Sequence, residues 1–217
     1  RDRVHTSNEG TIKYLIELNS GSMVEMVIIP EKNRRTLCVS SQAGCALQCT
    51  FCATGAQGFD QNLESHEIIG QLWLANFNQN NTKPITNVVF MGMGEPLLNY
   101  DSVIESAKIM KDQHSYGLSR KRITISTSGI IPNINKLSKE IDVSLAISLH
   151  AAEDDLRNVI VPINKKYPIK SLIKACKEYL NYFDNKRNIT IEYILIDGIN
   201  DSIEHAKKLS KLLSDIS

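Results

Sequence analysis

Apolar and polar positions along the 217-residue chain fall into two rhythms. Residues 11–19 and 23–30 are rich in β-formers and flank Ser20-Gly21, which predicts a β-hairpin. Beyond it, short apolar runs alternate with longer amphipathic ones. The short runs (36–40, 85–91, 122–127, 143–149 and 189–196) are rich in Val, Ile and Thr, and their length predicts buried parallel strands. The long runs (64–78, 100–111, 134–140, 169–183 and 202–214) predict helices. In the first of these Ile68, Ile69, Leu72, Trp73 and Ala75 share one helical face, and in the fourth Leu172, Ile173, Cys176, Leu180 and Phe183 do the same.

Repeated strand–helix units give a parallel sheet with right-handed crossovers. Five such units stand here against the eight of a full barrel. Polar and glycine residues sit at the C-terminal end of nearly every predicted strand: a cysteine loop after the first, Gly92-Met93-Gly94-Glu95 after the second, Ser126-Thr127-Ser128-Gly129 after the third and Ser148-Leu149-His150 after the fourth. Parallel α/β folds build their sites there. A partial (β/α) barrel with one common mouth is therefore expected, rather than an open doubly wound sheet. Residues 1–30 form a hairpin extension and 31–217 the α/β core. The chain starts at Arg1 and stops at Ser217 directly after a helical run, so both ends read as cut from something longer, with a sixth strand missing.

Composition adds little direction. The chain is 42% hydrophobic and 23% charged, with a formal net charge of +1, so no strong field marks nucleic acid or membrane as a partner. The longest apolar runs, 88–91 and 145–149, are too short for a bilayer, and no signal-peptide pattern is present. Five cysteines, three of them crowded into one loop, do not make a disulfide framework; they fit metal-binding thiols in a reducing, cytoplasmic setting.

That loop carries the chemistry. Cys45-x3-Cys49-x2-Cys52 can hold three irons of a [4Fe–4S] cube and leave the fourth open to a small molecule. The competing reading is a structural zinc site, with Cys38 or His66 as fourth ligand. Gly44 and Gly55 flank the loop and let backbone approach a cluster closely. Phe51, next to the last cysteine, reads either as a contact for a bound adenine or as core packing. Gly94 would let a ligand touch the backbone, and Glu95 can grip an ammonium. Cys38 is either a buried strand cysteine or a thiol at the strand mouth. Cys176 falls on an apolar helical stripe and reads as a small buried hydrophobe. Basic pairs and runs at Arg34-Arg35, 119–122 and Lys165-Lys166 are short enough to be solvated surface.

Residues 37–58 (LCVSSQAGCALQCTFCATGAQG), 90–96 (FMGMGEP), 123–132 (ITISTSGIIP), 146–151 (AISLHA), 161–164 (VPIN) and 198–205 (GINDSIEH) resemble the radical S-adenosylmethionine enzymes. Within them they are similar to the adenine carbon-2 methyltransferases of 23S rRNA and tRNA; the sister carbon-8 methyltransferases share the layout. The resemblance implies a barrel of the radical S-adenosylmethionine type with a [4Fe–4S] cluster on Cys45, Cys49 and Cys52. It implies S-adenosylmethionine contacts at Phe51, Gly94, Glu95, Ser126, Ser148, Leu149 and His150. Cys38 matches one of two catalytic cysteines, and Glu25 the family's proton acceptor, although pattern alone does not separate Glu25 from Glu17 or Glu31. It further implies a methyl-carrying cysteine beyond a sixth strand, rRNA and tRNA substrates, a reducing donor such as flavodoxin, and a monomer away from membranes. Residues 1–217 alone are accordingly expected not to turn over.

Overall fold

The computed structural model describes residues 3–77, 83–183 and 187–214. Its sheet has eight strands. The first three, β1 (Arg3–Thr6), β2 (Ile12–Glu17) and β3 (Met23–Pro30), form an antiparallel meander that continues onto β4 (Arg35–Cys38). The hairpin expected around Ser20-Gly21 is present: Leu18 and Ser22 bond across it, and Gly21 takes φ +86°, which glycine adopts at little cost. Strand β1 has no counterpart in the expected pattern.

From β4 onward the sheet is parallel. After the cysteine loop it runs through β7 (Asn87–Phe90), β8 (Ile123–Thr127), β9 (Ser144–Ser148) and β10 (Ile189–Glu192). The connecting helices are α2 (Ser65–Phe77), α3 (Tyr100–Lys111), α4 (Ile131–Glu140), α6 (Ile169–Tyr182) and, after β10, α7 (Ile203–Leu213). All five expected units are there, and among the described residues the sheet does not close into a barrel. Asn78, placed in the first helix by its pattern, lies outside the described residues. Helix α4 starts three residues earlier than expected because Pro132 is tolerated in its first turn. Strand β10 stops at Glu192, four residues short of its apolar run, because Asn200 captures the following segment through Ile194 O and Ile196 N. The pattern also missed a second small sheet, β5 (Gln42–Gly44) with β6 (Phe59–Asn62), and two short helices, α1 (Ala53–Gln57) and α5 (Asp154–Ile160).

The expectation of strands buried on both faces needs correction. Cross-strand register sorts the residues into two rows. One row, with Ile28, Leu37, Val88, Ile123, Ile125, Leu145 and Ile147, is apolar and packs beneath the helices with Ile68, Leu72, Val103, Ile134 and Leu172. The other row, with Val27, Cys38, Val89, Thr124, Ser126, Ala146, Ser148, Thr190 and Glu192, mixes small and polar side chains with two valines. This inner row lines a trough, and β-branched residues hid it within runs that looked uniformly apolar. Trp73 is a second correction: it is 55% exposed and meets Phe77 at a tilt, 5.6 Å between ring centroids, on the outer side of α2. No helix among the described residues is long and apolar enough to cross a membrane.

Candidate active site

The cysteine loop leaves β4 and is knitted to the loop after β7. Ser41 and Gln42 donate their main-chain N–H groups to Met93 O, Met93 N–H donates to Ser40 Oγ, and Glu95 N–H donates to Gln42 Oε1. Asn99 Nδ2 donates to Ser41 O and Leu63 O. These bonds hold Gly92–Glu95 against the base of the loop. A Cβ at Gly94 would stand 2.4 Å from the Gln42 side chain, and one at Gly44 would stand 1.9 Å from Gly58 O. Gly55 packs on Cys49 so closely that a Cβ would meet its main-chain N at 3.1 Å.

Cys45, Cys49 and Cys52 are all half-buried free thiols. Burial pushes the Cys45 thiol up, and pushes Cys49 up to about 12, with the neighbouring cysteines and Glu95 adding to the rise in both. Cys45, Cys49 and Glu95 thus crowd together and favour their neutral forms; a cation bound there would reverse this and stabilise the thiolates that ligate it. Neither candidate for a fourth metal ligand joins them. His66 pairs with Glu64 at 3.1 Å on the surface, and Cys38 responds to Met91 and Glu192 instead. Among the described residues, no three His, Cys, Asp or Glu side chains converge as they would on a single metal ion. A cube spreads its ligands over three irons, whereas a closed zinc site draws four around one ion. The residues present fit the cluster.

Glu95 is almost fully buried. Its two carboxylate oxygens accept N–H groups from Leu97 (3.0 Å) and Ser128 (2.8 Å), which ties the loop after β7 to the end of β8. Burial raises its pKa and these bonds oppose the rise; an ammonium beside it would restore the charged form. Beyond it lies a cavity of about 120 Å³ lined by Gly94, Glu95, Ser126, Ser148 and Glu192, among others. Glu192 Oε2 accepts hydroxyl bonds from Ser126 (2.9 Å) and Ser148 (2.7 Å). The sequence reading did not select Glu192, although it ends its strand as the selected residues end theirs. A wider groove of about 470 Å³ lies at the opposite ends of the strands, beside Arg34 and Lys83, away from these groups.

His150 closes the other side. Its ring meets Phe51 edge-on at 4.8 Å between centroids, and its Nδ1 accepts the Ile194 N–H at 3.1 Å. It takes φ +60°, which is uncommon for a non-glycine residue. Burial, with help from nearby Arg157, lowers its pKa to about 4, so the ring is neutral. Leu149 is buried; its N–H donates to Glu192 O, and its side chain is part of the core.

Cys38 and Glu25 stand on the inner face. Val27 is opposite Cys38, so Glu25, two residues along β3, points the same way and lies nearer the mouth. The Glu25 main chain accepts from Ser40 Oγ at 2.5 Å and its N–H reaches Met93 Sδ at 3.3 Å, while its carboxylate pairs with Lys13 at 2.6 Å. Burial pushes the Cys38 thiol up to about 11. Cys176 is fully buried on α6, as its stripe predicted. Two basic groups are partly neutralised: Arg34 pairs with Glu31, and Arg120 with Asp142.

Residues 39–209 match the model of the Radical SAM superfamily. The chain belongs to this superfamily. It is 55% identical over 215 residues to a dual-specificity RNA methyltransferase RlmN of Pseudomonas putida, an alignment covering 97% of this chain and 56% of that relative. The chain therefore spans about half the length of the curated relative it matches. A radical SAM methyltransferase from Sphaerobacter thermophilus superposes with a TM-score of 0.93 at 41% identity, over 98% of this chain and 63% of that one. SuiB of Streptococcus suis, solved with S-adenosylmethionine bound, shares the fold at a TM-score of 0.56 and 15% identity, over 83% of this chain and 39% of that one.

Proposed function

We propose that this chain is the catalytic core of a radical S-adenosylmethionine methyltransferase acting on carbon 2 of adenine in 23S rRNA and tRNA. The observation that carries the reading is the crowding of Cys45, Cys49 and Cys52 with Glu95, on a chain 55% identical to an RNA methyltransferase. Cys45, Cys49 and Cys52 would hold a [4Fe–4S] cluster, and the residues present fit it. When bound, the cluster and S-adenosylmethionine supply radical chemistry at a carbon too electron-poor for polar methyl transfer.

The chain's own residues then have distinct tasks. Glu95, with Gly94 giving backbone access, receives the methionine ammonium. Ser126, Ser148 and Glu192 offer hydroxyl and carboxylate groups to the ribose side of the cavity. Phe51, Leu149 and His150 wall the site, and the neutral His150 ring adds no cation beside a sulfonium. Cys38 waits as a protonated thiol on the inner face, and its thiolate is the form that attacks sulfur. Glu25 at the mouth is the proton acceptor once Lys13 is displaced from it. A flavodoxin-class donor supplies electrons.

The test is anaerobic reconstitution of the full-length protein. Iron and sulfide should be incorporated, the brown chromophore should change on adding S-adenosylmethionine, and nucleosides from treated RNA should contain 2-methyladenosine by mass spectrometry. A methyl at carbon 8 would assign the sister activity; colourless protein with stoichiometric zinc would overturn the reading.

A further inference from the structure

Arg157, on α5, is fully buried. Its guanidinium donates from Nε to Leu149 O (2.8 Å), from Nη1 to Asn164 Oδ1 (2.8 Å), and from Nη2 to Ser128 O (2.7 Å) and Ser148 O (3.0 Å). Every acceptor is neutral, and among the described residues no carboxylate pairs with it directly. The nearest acid in the network, Asp154, is reached only through Asn164: Asn164 Nδ2 donates to Asp154 Oδ1 at 2.8 Å, and that oxygen also accepts the Ile169 N–H at 2.9 Å. A buried cation without a counter-ion is costly, so its place in the fold calls for a reason.

The reason lies one turn further along the same buried face of α5. Thr50 N–H donates to Ile160 O at 3.1 Å, and Cys49 and Phe51 pack on Ala151, Ile160 and Val161. The helix that carries Arg157 is therefore built against the cysteine loop. A three-thiolate cluster is anionic, and it gains one more negative charge when reduced. We propose that Arg157 is a positioning residue that serves as the buried counter-charge of the cluster: it holds the ends of β8 and β9 at the cofactor cavity and makes the cluster easier to reduce. Four hydrogen bonds alone could be met by a neutral arrangement; the charge has a use only beside an anion.

The proposal rests on the cluster reading, and the test separates the two. Arg157→Met, Arg157→Lys and Asp154→Asn are made in the full-length protein, reconstituted anaerobically and reduced stepwise with dithionite. The reduced cluster is followed by electron paramagnetic resonance. Arg157→Met should lower the ratio of reduced to oxidised cluster at fixed potential about tenfold, which is about 59 mV for one electron. Arg157→Lys breaks most of the hydrogen bonds but keeps the charge, so it should recover most of the shift; a purely structural role predicts that it does not. Asp154→Asn keeps the acceptor of Ile169 N–H and removes a negative charge, so it should favour reduction by about threefold. If Arg157→Met does not load iron, Asp154→Asn decides. An unchanged potential in Asp154→Asn, or Lys behaving as Met does, overturns the proposal. A wild type without iron fails the cluster reading instead.

Discussion

Glu192 shows how much one strand-end residue can matter. Its carboxylate organises two hydroxyls, Ser126 and Ser148, that the resemblance already assigns to S-adenosylmethionine. Glu192→Gln keeps the shape and removes the charge, which halves the strength of such bonds. It should weaken S-adenosylmethionine binding about tenfold, read from the titration of cluster absorbance, with iron content unchanged. Cys38 makes a different point. A thiol raised to about 11 carries little thiolate at neutral pH. Its alkylation by iodoacetamide should be slower than that of a free cysteine at pH 7.5 and should rise about tenfold per pH unit toward pH 11. Mass mapping of the alkylated protein measures this; fast labelling at pH 7.5 would contradict the raised thiol pKa. Cys176, with no polar task on its stripe, should tolerate Cys176→Ala at a cost of about 1 kcal/mol, with no loss of the proposed RNA methylation when the variant is made in the full-length protein.

At the scale of elements, the base of the cysteine loop depends on Gly44 as well as on the side-chain bonds of Ser40, Gln42 and Asn99. Gly44 has φ +71° and no space for a Cβ, whereas Gly21 has φ +86° and open space around it. Gly44→Ala should cost at least about 2 kcal/mol and lower iron incorporation, while Gly21→Ala should cost about 1 kcal/mol of strain and leave iron content intact. Melting curves and iron assays on both variants provide the comparison. The same elements show what the pattern of residues could and could not reveal. The parallel strands and their long helices were legible because each carries an apolar row that must be covered. Strands β5 and β6 were not, since Gln42–Gly44 and Phe59–Asn62 have almost no apolar alternation and exist by pairing with each other. Helix α5 was hidden for a related reason: only Arg157 and Ile160 are buried along it, and no periodic stripe marks it. The cluster loop and the Gly-x-Gly-Glu turn were legible from spacing. Glu192 was not, because its partners lie 44 and 66 residues away along the chain, and neither was Arg157, whose partners, 7 to 29 residues away, sit on separate elements that only the fold brings together.

Across the whole molecule the two faces of one sheet divide the labour. The helix-covered row supplies the core, and the inner row gives up apolar burial to present Cys38, Ser126, Ser148 and Glu192 toward one mouth. Stability should therefore depend on how the buried polar groups near that mouth are ionised. His150 gives a clear case. Its folded pKa is near 4, against a usual value near 6.5, because burial and Arg157 both disfavour the imidazolium. Above pH 6.5 the ring is neutral in both folded and unfolded chains and costs nothing. As pH falls from 6.5 to about 4 the unfolded chain takes up the proton first, so stability drops across that window, by on the order of 2–3 kcal/mol. Below pH 4 this contribution levels off. Urea unfolding of metal-free protein at pH 7 and at pH 4.5 measures the drop. His150→Asn, which tolerates the positive φ and cannot titrate, should remove most of the slope, so that wild type and variant converge at low pH. An equal slope in both would show that other groups govern acid stability and that His150 is not held neutral by the site.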